Sequence, residues 1–258
     1  MPLSIAIAGK GGTGKTSLAV LLVRSLGEAG VRPVFAVDAD PNSNLAEALG
    51  VEAGRPLADI REAGASAEGS PASGIGRVRA VEDDIQRALV EADGFDLMTM
   101  GRPEGPRCYC YVNTLVRKAL DGLARGYRAV VLDNEAGMEH LSRRTTNDVD
   151  WLVAVTDPTL PALRAVGRIL ELSRELPVKI ARRGVLLNRT RPDGPPERLA
   201  REIERLTASQ DVERLPDVPQ DNDLERAGAE GRDVFGLSAD SPALAAVRNV
   251  VAALRARR

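Results

Sequence analysis

Aromatic side chains are scarce. Three Phe, three Tyr and one Trp make up 3% of the 258 residues. A core must therefore be built from Val, Leu, Ile and Ala, and the chain is long enough for one large α/β domain. No apolar run reaches about 18 residues, which excludes a membrane-spanning helix. Neither sign of charge dominates: the net charge is −2, with 28% of residues charged. The chain as a whole thus has no field drawing it to nucleic acid or a membrane surface. It enters its first apolar stretch directly, so no signal peptide is expected. Internal repeats are absent, and one domain over residues 1–258 is expected.

Residues 9 to 16 read Gly-Lys-Gly-Gly-Thr-Gly-Lys-Thr, two glycines five apart followed by Lys-Thr. This is the P-loop pattern. Ile5–Ala8 before it is apolar and strand-like. Leu18, Leu22 and Leu26 after it recur at helical spacing. Strand, glycine loop and helix together let backbone N–H groups surround an anion at a helix N-terminus. Gly9, Gly11, Gly12, Thr13, Gly14 and Ser17 belong to this cradle. Lys15 would reach the outer phosphates, and Thr16 would offer its hydroxyl to Mg²⁺.

Short apolar runs at Val34–Val37, Leu97–Met100, Ala129–Leu132, Trp151–Val155 and Gly184–Leu187 are bounded by turn residues. Most are continuous, as in strands buried on both faces of a parallel sheet. Helical patterns alternate with them, most clearly over Val112–Arg125 and Leu160–Glu175. The expected class is α/β with a doubly wound, mostly parallel sheet. Residues 61–76 are low in complexity and read as a flexible insertion. Residues 241–258 read as a helix with Leu244, Val247, Val251 and Leu254 on one face. It lacks Phe and Trp, so docking on the domain is expected rather than membrane binding.

Lys10 is not required by an ordinary P-loop. With it, the motif resembles the deviant P-loop of the MinD/ParA and nitrogenase iron-protein class. That resemblance implies a dimer in which Lys10 reaches the partner's nucleotide in trans, as an arginine finger does. It also places Asp40, in Asp38-Ala-Asp-Pro-Asn after the second strand, as the residue that orients the attacking water. Asp38 would stand behind it. Asp133 ends an apolar strand and would meet the Mg²⁺ shell, while Asn134-Glu-Ala-Gly137 resembles switch II, with the Gly137 N–H at the γ-phosphate. Strand Gly184–Leu187 ends in Asn188-Arg189-Thr190-Arg191. A guanine-reading Asn-Lys-x-Asp motif would have Asp where Arg191 stands, so ATP is expected. By resemblance, Asn188 contacts adenine and Pro219-Gln220-Asp221 packs nearby, with Arg189 counted among the nucleotide-binding residues.

Both cysteines lie in Cys108-Tyr-Cys110, after the strand Leu97–Met100. A disulfide within so short a ring is strained. Two cysteines and an ATP-type loop point to the cytoplasm, which also works against a disulfide. Paired thiolates suit a soft or borderline metal, and a closed tetrahedral site needs four ligands. A two-fold dimer would supply the other two. Together with Asp133-Asn-Glu-Ala-Gly-Met-Glu-His140 and Asp38-Ala-Asp-Pro-Asn-Ser-Asn, the pair resembles the CooC family, accessory ATPases of nickel insertion into carbon monoxide dehydrogenase. The resemblance implies an ATP- and Mg²⁺-dependent homodimer that binds Ni²⁺ or Zn²⁺ through Cys108 and Cys110. Its client would be a nickel enzyme such as carbon monoxide dehydrogenase or acetyl-CoA synthase. The sole histidine, His140, could relay nucleotide state or touch metal, though a lone histidine is more often structural. Lys179, Arg182, Arg183, Arg189 and Arg191 form a basic cluster, either solvated or a docking patch. The rival reading is a partitioning or positioning ATPase acting on DNA or membrane, which leaves the cysteine pair unexplained.

Overall fold

A computed structural model describes residues 1–60, 74–101, 120–135, 148–176, 178–208 and 211–257. Its strands are β1 (Leu3–Gly9), β2 (Val34–Ala39), β3 (Val90–Ala92), β4 (Phe95–Thr99), β5 (Ala129–Asn134), β6 (Asp148–Thr156), β7 (Lys179–Thr190), β8 (Val212–Arg214) and β9 (Val218–Pro219). They form a sheet in the order β3-β4-β2-β5-β1-β6-β7-β8, with β9 paired to β7. Among the described strands only β3 runs antiparallel, against β4. The central strands are buried along their whole length, as their unbroken Val, Ile, Leu and Ala runs predict.

Both sheet faces are covered. On one face, α1 (Lys15–Glu28), α2 (Leu45–Leu49) and α7 (Pro242–Ala256) pack over Ile5, Ile7, Val131, Val153 and Trp151. The other face carries α3 (Gly74–Ala88) and α4 (Leu160–Glu175) over Ala6, Val130, Leu152 and Val185. Helix α5 (Glu197–Thr207) docks through Leu199 and Ile203 onto Leu163 and Leu187. This is the doubly wound, mostly parallel arrangement expected. Helix α4 has the predicted bounds, because Thr159 accepts from the Ala162 N–H and Pro161 stands in the first turn. Helix α7 buries Leu244, Val247, Val251 and Leu254, and the Trp151 indole donates to the Leu254 carbonyl at 3.1 Å. Burying each such side chain contributes about 1.5–3 kcal/mol, which explains why the helix docks on the domain.

Three expectations change. Residues 74–76, read as part of a flexible insertion, begin α3; residues 61–73 lie outside the described chain. Strand β7 is much longer than Gly184–Leu187, because its first half faces outward on one side and breaks the apolar run. The basic residues in that half are largely structural. Arg182 pairs with Glu213 at 2.6 Å over the Trp151 ring, and the Arg183 Nε donates to the Ser173 hydroxyl at 2.7 Å. Of the predicted helix 112–125, residues 120–124 are helical and 112–119 lie outside the described residues.

Candidate nucleotide site

Strands β1, β2 and β5 are parallel neighbours, so their carboxyl ends share one edge. Register sets Ile7 opposite Asp133 and Asp38 opposite Asp133. The P-loop leaves β1 there and feeds α1. An open cleft of about 490 Å³ lies above this edge, lined by Gly11, Gly12, Gly14, Lys15, Thr16, Ser17, Asp40, Pro41, Asn42, Asn44, Glu135 and Arg189. It is the position a parallel sheet reserves for ligands.

The loop's shape follows from its glycines. Gly12 and Gly14 have φ of 83° and 85°. A Cβ on Gly9 would stand 2.5 Å from the Val155 carbonyl oxygen. The Thr13 hydroxyl donates to the Lys10 carbonyl at 2.8 Å and closes the turn. Lys15 is 7% exposed, yet among the described residues its ammonium has no ion pair. A buried charge is stable when paired, so the cleft calls for an anion.

Thr16 donates its hydroxyl to Asp133 Oδ2 at 2.6 Å, while Asp133 Oδ1 is buried and has no hydrogen-bond partner among the described residues. Burial raises the Asp133 pKa to about 7; the Asp38 and Asp40 carboxylates add to this, and Thr16 and Lys15 oppose it. A hydroxyl beside an orphaned carboxylate oxygen fits Mg²⁺, held by Thr16 and approached by Asp133. Asp38 is fully buried. It accepts from the Leu45 N–H at 2.9 Å and the Asp40 N–H at 3.1 Å, fastening both ends of the loop that carries Asp40. Burial raises its pKa to about 6 against the pull of those two amides. Asp40 accepts from the backbone and side-chain N–H groups of Asn42, both at 2.9 Å, and faces the cleft. Lys10 is exposed, and among the described residues its ammonium has no hydrogen bond or ion pair.

The residues expected beside the base also make contacts within the protein. Asn188 donates to the Thr13 carbonyl and Arg189 to the Gly12 carbonyl, each at 2.9 Å. Both therefore brace the P-loop. Pro219 pairs β9 with β7. Asp221 uses one oxygen to cap α6 (Asn222–Ala229), through Asp223 and Leu224. Its other oxygen accepts from the Ser241 hydroxyl and the Ala243 N–H. Gly137, His140, Cys108 and Cys110 lie outside the described residues. The candidate residues named from the sequence omitted Pro41, Asn42, Asn44 and Glu135. The signal for the first three was the Asp-Pro-Asn-Ser-Asn run itself, since Asn is at home in tight turns and Ser43 adopts φ 52°.

The family model of the CobQ/CobB/MinD/ParA nucleotide binding domain matches residues 4–234. The chain is 43% identical over 192 residues to an uncharacterized ATP-binding protein of Methanocaldococcus jannaschii, covering 73% of this chain and 75% of that protein. It is 36% identical over 189 residues to the carbon monoxide dehydrogenase accessory protein CooC of Rhodospirillum rubrum, covering 69% and 71%. The solved septum site-determining protein MinD of Pyrococcus horikoshii, complexed with Mg-ADP, superimposes with a TM-score of 0.68 at 21% identity. That likeness covers 97% of this chain and 95% of the other, and establishes the fold.

Proposed function

The chain belongs to the CobQ/CobB/MinD/ParA nucleotide-binding family, and from that premise we propose that it is an ATP-hydrolysing metallochaperone for a nickel enzyme. ATP enters the cleft with its phosphates on the P-loop amides and Lys15. Thr16 and Asp133 would hold Mg²⁺, which when bound neutralises charge on the phosphates. Asp40, held toward the cleft by Asp38 and Asn42, orients the attacking water. Lys10 reaches the phosphates of a second copy. The base lies against the ends of β7 and β9, where Asn188 and Pro219 stand, and Gly137 approaches the γ-phosphate.

The metal role is carried by the place of the cysteine pair in the chain. Strand β4 ends with Thr99 opposite Asp38, so Cys108 and Cys110 follow the chain's exit from the nucleotide edge. The 36% identity to CooC supports the same role. In this reading ATP closes a two-fold dimer, four thiolates capture Ni²⁺ or Zn²⁺, and hydrolysis reopens it. Nucleotide state drives release because the two states differ in metal affinity.

Equilibrium dialysis under reducing conditions, with wild type and Cys108→Ser/Cys110→Ser, tests this. About half a nickel or zinc ion per chain, with dimer formation, is expected for wild type and none for the double variant. Equal binding by both proteins, or none by either, removes the metal role and leaves a MinD/ParA-type ATPase to be assayed on DNA and anionic vesicles.

A further inference from the structure

The contacts from the end of β7 to the phosphate loop give Arg189 a specific role that its place among the nucleotide-binding residues did not supply. Three local features coincide at Arg189. Its φ is 58°, a left-handed conformation that costs a side-chain-bearing residue roughly 1–2 kcal/mol. The pairing register of β7 with β9 shifts between Asn188 and Thr190, on either side of it. Such irregularities re-aim a side chain. The side chain so aimed crosses to the P-loop, and its Nη1 donates to the Gly12 carbonyl at 2.9 Å. Asn188 supports the same crossing, accepting from the Arg189 N–H at 3.0 Å and donating to the Thr13 carbonyl.

Gly12 is the weak point of the cradle. Its φ is 83°, and a Cβ there would meet nothing within 4 Å. The Thr13 N–H ties one side of the following peptide to the Lys10 carbonyl by a long 3.3 Å bond, and glycine allows that peptide to turn over when its carbonyl side is not held. Turned over, its carbonyl would face the phosphates and repel them. A guanidinium on the carbonyl holds the oxygen outward, and a charge-assisted bond is about twice as strong as a neutral one.

We propose that Arg189 is a positioning residue that keeps the Gly12 peptide in its phosphate-receptive orientation, acting through the loop rather than on the base. This rests on the nucleotide-site reading above. It requires Arg189 to matter equally for ligands with and without a base. Mg-ADP and magnesium tripolyphosphate, which lacks the nucleoside, are the two probes, titrated by calorimetry into wild type, Arg189→Ala and Arg189→Lys.

Arg189→Ala is expected to weaken both probes by the same factor, about tenfold, with the melting temperature of the ligand-free protein within about 2 °C of wild type. Millimolar free guanidinium should recover most of the loss in Arg189→Ala. Lys, without the planar fork, should recover little. A loss confined to Mg-ADP would overturn the proposal and place Arg189 at the base. So would unchanged affinity for both probes, or a loss matched by a fall in ligand-free stability and not recovered by guanidinium. Wild type that binds neither probe would instead sink the nucleotide-site reading itself.

Discussion

Replacing Gly14 by Ala tests whether β7 and the P-loop form one mechanical unit. Gly14 has φ 85°, and an added Cβ would stand 2.5 Å from Asn188 Nδ2. Two costs follow. The left-handed backbone disfavours any L side chain by roughly 1–2 kcal/mol. The Asn188 amide must also swing away, which gives up its 2.9 Å bond to the Thr13 carbonyl. That bond contributes about 1 kcal/mol net, and more if the carbonyl then stays dry, since Thr13 is fully buried. The single substitution should therefore cost about 2–4 kcal/mol. In an Asn188→Ala background the obstacle and the bond are already gone, so Gly14→Ala should cost only the backbone part. Urea unfolding of the wild type, both single variants and the double variant gives the coupling, provided the m-values agree. A coupling of about 1–2 kcal/mol is expected. If the double variant loses the sum of the singles within about 0.5 kcal/mol, the two sites are independent and the brace does not exist.

Asp221→Ala removes acceptors for Asp223, Leu224, Ser241 and Ala243 and so uncaps α6 and loosens α7. At about 1 kcal/mol per cap, a stability loss of about 2–3 kcal/mol is expected in thermal melts, and a loss under about 0.5 would contradict the geometry. Burial raises the pKa of Asp38 to about 6 and of Asp133 to about 7, against an ordinary 3.8 for each. The folded ligand-free protein therefore binds more protons than the unfolded chain between about pH 4 and 7. These groups make it less stable as pH rises through that window and change nothing above it. Urea midpoints at pH 5.5 and 7.5 should show that slope, and Asp133→Asn should reduce it. Asp40→Ala should lower ATP turnover by about 10²-fold or more while Mg-ATP still binds, and a variant that turns over normally would place the water-orienting group elsewhere.

The P-loop was legible because its chemistry acts on backbone conformation. Left-handed φ at Gly12 and Gly14 demands glycine, and a buried ammonium demands Lys15, so geometry is written in residue type. The central strands were legible because burial on both faces leaves continuous apolar runs, and α4 because Thr159 and Pro161 mark its start. The edges were not. β3 is a three-residue, partly exposed strand, and the first half of β7 is mostly exposed and carries Lys179, Arg182 and Arg183. The site's supports were hidden for a different reason. Asn188 and Thr13 are 175 positions apart, and Asp221 joins a cap two residues on to another twenty residues away. Sequence marks Asn188-Arg189 as polar residues at a strand's carboxyl end, which suffices to bring them to the ligand edge. It leaves open which neighbour takes their donors, because that depends on the crossing of two loops rather than on either loop alone. A motif therefore names the groups that touch a ligand more readily than the groups that hold those in place. At this site the same pair of side chains stands at the boundary between the two roles, so a base-free polyphosphate is the probe that separates them.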